Sequence, residues 1–162
     1  LATAQTGGVH ALGLDREDLL PGLKKGLAWS AAFAAVAGLL ILGLSLAGQS
    51  PLTWIRSPLP VPGSQRGLFF LVGGIIALLA EEVVFRGLIF GYLRRWGVST
   101  AVLVSTALFA AIHPWSVLPV TQIVGGLVFA VAYHTSGSLM TPITIHTLGN
   151  LAIFTLSLPR FH

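Results

Sequence analysis

Apolar residues run along this chain in about five long stretches separated by short polar breaks, the pattern of helices that cross a bilayer. The first extends from Leu23 to about Ala47, is entered by Lys24 and Lys25, and is rich in glycine and alanine, which suits close helix contact. Gly48 to Gln65 breaks the pattern: Pro51, Pro58, Pro60 and Pro62, with Trp54 and Arg56, predict a loop lying along the headgroups. The second span runs from Gly67 to about Tyr92 and ends at Arg94-Arg95-Trp96-Gly97, a basic and aromatic stop followed by a glycine break. The third, Ser99 to His113, halts at Pro114 and is short for a full crossing. Either it begins earlier by tilting, or it ends inside the membrane with His113 and Pro114 at a cavity. Val117 to Tyr133 makes the fourth span, and Leu139 to Leu158 the fifth, after a Thr135-Ser136-Gly137-Ser138 turn. Ahead of all of them, residues 1–22 are mixed, with Asp15, Arg16, Glu17 and Asp18 clustered before Pro21, and read as an interfacial stub with a helix start. Residues 23–162 then form one membrane helical domain.

Composition supports this reading. The chain of 162 residues is 54% hydrophobic and only 9% charged, with a mean hydropathy of +0.87, against roughly 25% charged residues in soluble domains. The expected fold is all-α: a polytopic membrane helix bundle of about five spans, in which any active site is built from the spans themselves. The formal charge of +4 comes from Lys and Arg flanking the spans. Without a basic stripe or interleaved aromatics, no nucleic-acid partner is implied, whereas membrane lipids are. With the N-terminus inside, Arg16, Lys24, Lys25, Arg94 and Arg95 face the cytoplasm against Arg56, Arg66 and Arg160 outside, a modest positive-inside bias. There is no cysteine, which removes disulfides, thiolate nucleophiles and Cys-based zinc sites together. The sequence opens on Leu and lacks a signal-peptide layout, so truncation at the N-terminus is expected.

Against that apolar background, Glu81, Glu82 and Arg86 stand out within the second span. At 1.5 Å per residue Glu81 lies roughly 20 Å from Gly67, near mid-bilayer. An ionised group there costs roughly 2.5–3.5 kcal/mol on insertion scales, so it faces a bundle interior or a wet cavity. Glu82 and Arg86 are i and i+4 and share a helix face, whereas Glu81 points about 100° away. Glu82 with Arg86 therefore reads as a structural ion pair, leaving Glu81 as the titratable group. His146 and Asn150 on the fifth span, and Phe109 and His113 on the third, repeat the i, i+4 spacing. Three helices thus each offer one polar face.

These groups suit water activation. Glu81 takes a proton from a water held by His113 or His146, the water attacks a peptide carbonyl, and an imidazole or the Asn150 amide donates to the oxyanion. No serine stands at helical spacing from either histidine with a carboxylate to orient it, which disfavours a serine mechanism at Ser105 or Ser116. Metal is the closer competitor: Glu81, His113 and His146 would be its ligands, with zinc the ion of choice, although the local H-E-x-x-H signature is absent. A proton or cation pathway would need polar residues continuing to both faces, and the fourth span offers only Thr121 and Gln122 near one end. A non-enzymatic membrane partner, an immunity or scaffold protein using the same polar cavity, is the alternative to a hydrolase.

Glu81-Glu82-x-x-x-Arg86, then Phe109-x-x-x-His113, then Thr135-Ser136-Gly137-Ser138-Leu139 leading to Pro142 and His146-x-x-x-Asn150, resembles the CPBP family of intramembrane proteases. That family contains the type II CAAX prenyl endopeptidases, bacteriocin-processing and self-immunity proteins, and abortive-infection proteins. The likeness covers a motif core of about residues 67–155. It implies a helical membrane fold whose polar residues line a cavity, with Glu81 as catalytic glutamate and His113, His146 and Asn150 holding the nucleophilic water or the oxyanion. Glu82 and Arg86 take supporting roles. It implies a peptide or membrane-protein substrate, prenylated or not, in a multi-pass protein of the bacterial cell membrane. Members have been described both as metalloproteases and as metal-independent glutamate proteases, and the same four groups account for catalysis without an ion. Two features depart from the pattern: one span precedes the first motif where members commonly carry more, and Met140 stands where an aromatic is frequent.

Overall fold

Among the residues described by the computed structural model (12–55, 59, 63–113 and 119–158), every regular element is helical. The helices are α1 (Arg16–Leu46), a single turn α2 (Leu52–Ile55), α3 (Gly63–Trp96), α4 (Val98–Ala111), α5 (Val120–Ser136) and α6 (Met140–Ser157). By length and composition α1 and α3 are able to cross a membrane, and α4 and α5 are shorter apolar helices.

The helices follow the apolar stretches, with shifted ends. α1 begins at Arg16, within the cluster Asp15 to Asp18 where a helix start was expected, and runs through Pro21 into the apolar span that opens at Leu23. A proline so near a helix start removes only one backbone donor, and Glu17 and Asp18 in the first turn favour the positive helix end. The expected stub is therefore divided: residues 1–11 lie outside the described set, while Leu12 and Leu14 pack against the apolar core. The proline-rich loop contains α2, and Pro58, Pro60 and Pro62 lie outside the described residues. α3 turns into α4 through Gly97 alone, whose φ of 107° is open to glycine and strained for other residues. α4 spans 14 residues, about 21 Å of rise, and ends just before His113.

Three helices bind α6. The N-terminal half of α1 lies against it through Gly22 and Gly26, where an added Cβ would stand 2.4 Å from Ser138 Oγ and 2.5 Å from Thr144 Cβ. Such four-residue spacing of glycines lets helix backbones approach closely in lipid. Thr141 Oγ1 donates to the Gly22 carbonyl at 3.1 Å across the same seam. α3 runs antiparallel to α6, with Phe154 against Phe69 and Phe70 at one end and the polar residues further along. α5 meets α6 through Phe129, Ala132 and Ile145. The C-terminal half of α1 stands apart, with Leu39 70% and Leu46 81% exposed, an apolar surface of the kind that faces lipid.

α3 is not a uniform α-helix. Val72–Ile76 and Val83–Phe90 are π-helical, with α-helical turns between them at Ala77–Glu82. The wider π turns place Gly74, Leu78, Glu82, Arg86 and Phe90, four residues apart, on one buried stripe. At 100° per residue a pure α-helix would have carried Phe90 about 160° round from Gly74. The π turns thus hold a straight polar and apolar seam toward the bundle, and π turns of this kind recur at functional sites.

Candidate active site

Glu82 and Arg86 are both fully buried, and Arg86 Nη1 donates to Glu82 Oε1 at 3.1 Å, the ion pair expected from their spacing. Arg86 does more than neutralise. Its Nη2 donates to the Gly126 carbonyl of α5 at 3.2 Å, and its guanidinium lies over Phe109 of α4 at 4.7 Å and Phe129 of α5 at 5.1 Å. One buried cation so joins three helices by charge, hydrogen bond and cation–π contact.

Glu82 has a second partner that sequence spacing does not reveal. His146 of α6 donates from Nδ1 to the same Oε1 at 2.8 Å. Because an ionised carboxylate only accepts, the proton sits on Nδ1 and the ring presents Nε2 on its other side. There Glu81 waits, its Oε2 3.8 Å from His146 Nε2 and its side chain 27% exposed. The two adjacent glutamates flank one imidazole, one fully buried and bonded, the other half-open and just beyond hydrogen-bond reach.

His113 comes to the site by a different route. Its Nδ1 donates to the Phe109 carbonyl at 2.7 Å and its ring packs on Phe109 at 4.7 Å, and that same phenylalanine lies edge-on to His146 at 5.8 Å. The carbonyl fixes the proton on Nδ1 here too, leaving Nε2 as an acceptor. Asn150, one turn beyond His146, donates from Nδ2 to the Gly73 carbonyl at 3.1 Å. Gly73 belongs to the first π-helical segment of α3, where the backbone pattern changes. Glu81, Glu82, Arg86 and His146 are therefore in direct association, His113 joins through Phe109, and Asn150 sits along the α3–α6 seam. Of the serines weighed as nucleophiles, Ser105 bonds back to its own helix at Val102, and Ser116 lies outside the described residues.

Two residues of the site carry no mark in a sequence motif. Phe129 stacks on His146 with centroids 4.6 Å apart and planes at 22°, and Gly126 gives Arg86 its carbonyl. The visible hint was the Gly125-Gly126 pair opening a four-residue step to Phe129 and Tyr133. Among the described residues no group of three or more His, Cys, Asp or Glu side chains stands together as one able to hold a metal ion.

The family model for type II CAAX prenyl endopeptidase Rce1-like proteins matches residues 63–152, more than half of the chain. The chain belongs to the Rce1-like family. The match begins with α3 and ends within α6, so it spans Glu81, Glu82, Arg86, His113, His146 and Asn150. With its apolar helices, this Rce1-like chain is an integral membrane protein. The family is one of CAAX-protease-like membrane endopeptidases, hydrolases whose substrates are peptides or prenylated proteins. No curated protein and no solved structure matches the chain.

Proposed function

We propose that this Rce1-like chain is a multi-pass intramembrane endopeptidase that hydrolyses a peptide bond with water activated by Glu81. The observation that carries the reading is the bracketing of His146, Nδ1 on Glu82 at 2.8 Å and Nε2 facing Glu81 at 3.8 Å. A water between Glu81 Oε2 and His146 Nε2 gives one O–H to each. Glu81 takes the proton as the water oxygen bonds to the substrate carbonyl carbon, and the carbonyl oxygen becomes an oxyanion. Asn150 has a second amide N–H beyond the one given to Gly73, and this donates to the oxyanion. The carbonyl re-forms as the C–N bond breaks, and Glu81 returns its proton to the leaving amine. His113 offers Nε2 to the water or to a substrate N–H.

Glu82 does not touch the reacting atoms. It holds the His146 tautomer, as a buried carboxylate does for a catalytic imidazole, while Arg86 pairs with it through Nη1. Zinc is not needed for any of these steps. Were an ion used, Glu81, His113 and His146 would have to close around it. The bacterial cell-membrane location implied by the CPBP resemblance belongs to the same reading.

The test is a peptide-library digest by the purified protein in detergent, with and without a chelator. Cleavage by the native chain in both conditions is expected, and its loss by about 10²–10⁴-fold in Glu81→Gln. Equal cleavage by E81Q would remove Glu81 as the base. A chain that cleaves nothing would favour the non-enzymatic membrane partner.

A further inference from the structure

Among the described residues, the His146 side chain is oriented by one hydrogen bond, Nδ1 to Glu82. One such bond fixes one point of the ring and leaves the imidazole able to pivot about it, and a pivot changes the direction of Nε2 relative to Glu81. The plane of the ring needs a second constraint. Phe129 lies face to face with it at 4.6 Å and 22°, and Phe109 closes the bracket edge-on at 5.8 Å and 77°.

Phe129 is itself held on several sides. It is 7% exposed, meets Phe109 edge-on at 6.3 Å, and lies beneath the Arg86 guanidinium. On its own helix Gly125 makes room for it, since a Cβ there would stand 3.3 Å from the ring. The cation that pairs with Glu82 thus also rests on the ring that sets His146. Both constraints on the imidazole, the hydrogen bond at its edge and the stack on its face, trace back to Arg86.

We propose that Phe129 is a positioning residue for the reaction, its ring face setting the plane of the His146 imidazole and with it the direction of Nε2 toward Glu81. The proposal rests on the endopeptidase reading for its kinetic consequence, and on the packing alone for its structural one. A phenylalanine that only filled space would accept leucine with a loss of stability and nothing else. A ring that positions requires an aromatic face.

The experiment uses the full chain in detergent, comparing Phe129→Leu, Phe129→Tyr and Gly125→Ala with the native protein. Each is measured for kcat and KM on a cleaved peptide, for thermal stability, and for the 15N ring signals of His146, assigned by their absence in His146→Ala. Expected for F129L is a kcat lower by roughly 10- to 100-fold with KM little changed, since misplacement of a catalytic group by about 1 Å costs on that order. Its His146 ring signals shift as the ring leaves its native plane, whereas F129Y restores both readouts. G125A presses on the ring without removing it and keeps the test open if F129L fails to fold; it shifts the same signals by a smaller amount. Native kcat together with native ring signals in F129L and G125A overturns the proposal. Ring signals that move in a protein whose native form cleaves nothing remove the endopeptidase reading while leaving the stack as what orients His146.

Discussion

Glu81 and Glu82 are consecutive in the chain and sit in opposite physical situations, so glutamine at each position is expected to damage a different property. Glu82 is fully buried, and its Oε1 accepts from both Arg86 and His146. Glu82→Gln keeps the shape but strands the Arg86 charge in a fully buried position. Breaking one member of a buried pair costs about 3–5 kcal/mol, and Arg86→Ala is expected to cost a similar amount. Arg86→Lys is not a conservative change here, because one ammonium cannot replace a fork that reaches Glu82 and Gly126 together and stacks on two rings. Glu81 is more exposed, and its Oε2 approaches His146 Nε2 at 3.8 Å. Glu81→Gln should cost much less stability in detergent, about 1 kcal/mol or below, because this carboxylate is partly exposed and beyond hydrogen-bond distance of His146. Thermal or denaturant unfolding of E81Q, E82Q and R86A side by side separates the two roles. A large loss of stability in E81Q, or none in E82Q, would reverse the assignment.

At the scale of elements, α1 provides a controlled comparison within one helix. Gly26 packs where a Cβ would meet Thr144 Cβ at 2.5 Å and the Thr141 carbonyl at 3.0 Å, whereas among the described residues nothing lies within 4 Å of the same point on Gly38. Gly26→Ala is expected to destabilise by about 1–3 kcal/mol through overpacking on α6. Gly38→Ala should instead stabilise slightly, by up to about 1 kcal/mol, from helix propensity alone. Opposite signs in a melting series would establish the α1–α6 seam in solution. The sequence was informative about these elements where local chemistry decides them. Gly97 bounded the start of α4, and the Glu82–Arg86 pair followed from i, i+4 spacing; Pro114, expected to end the span, lies outside the described residues. The cluster Asp15 to Asp18 likewise marked the helix start, which falls at Arg16. The stripe from Gly74 to Phe90 was not visible at a period of 3.6, because the π turns that align it depend on packing against α5 and α6. The bond from His146 to Glu82 and the stack on Phe129 join residues distant in the chain, and no local pattern encodes which of two adjacent glutamates a remote histidine will choose.

At the scale of the whole molecule, the segment just ahead of α1 ties three parts of the bundle together. Leu139 N donates to the Leu12 carbonyl at 3.1 Å, and Ser138 Oγ donates to the Gly13 carbonyl at 2.9 Å, so the segment is pinned to the turn between α5 and α6. Leu12 also covers Gly87 of α3, where a Cβ would stand 2.7 Å from its Cδ2, next in sequence to Arg86. The crossing depends on Gly13. Its φ is 63°, and a Cβ would fall 2.1 Å from the Gly137 carbonyl, against backbone that has no flexible end to move aside. Gly13→Val is therefore expected to expel the segment, with strain of about 1–3 kcal/mol relieved only by undocking. For a chain of this size each kcal/mol corresponds to a fall of about 2–4 °C in melting temperature. The ion pair, the His146 bond and the Phe129 stack are made without residues 12–14. The variant should accordingly melt several degrees lower and be cut sooner by added protease near its N-terminus, while keeping the native His146 ring signals at low temperature. Altered ring signals in folded G13V would show instead that this strap, acting through Gly87 and its neighbour Arg86, sets the geometry of the site.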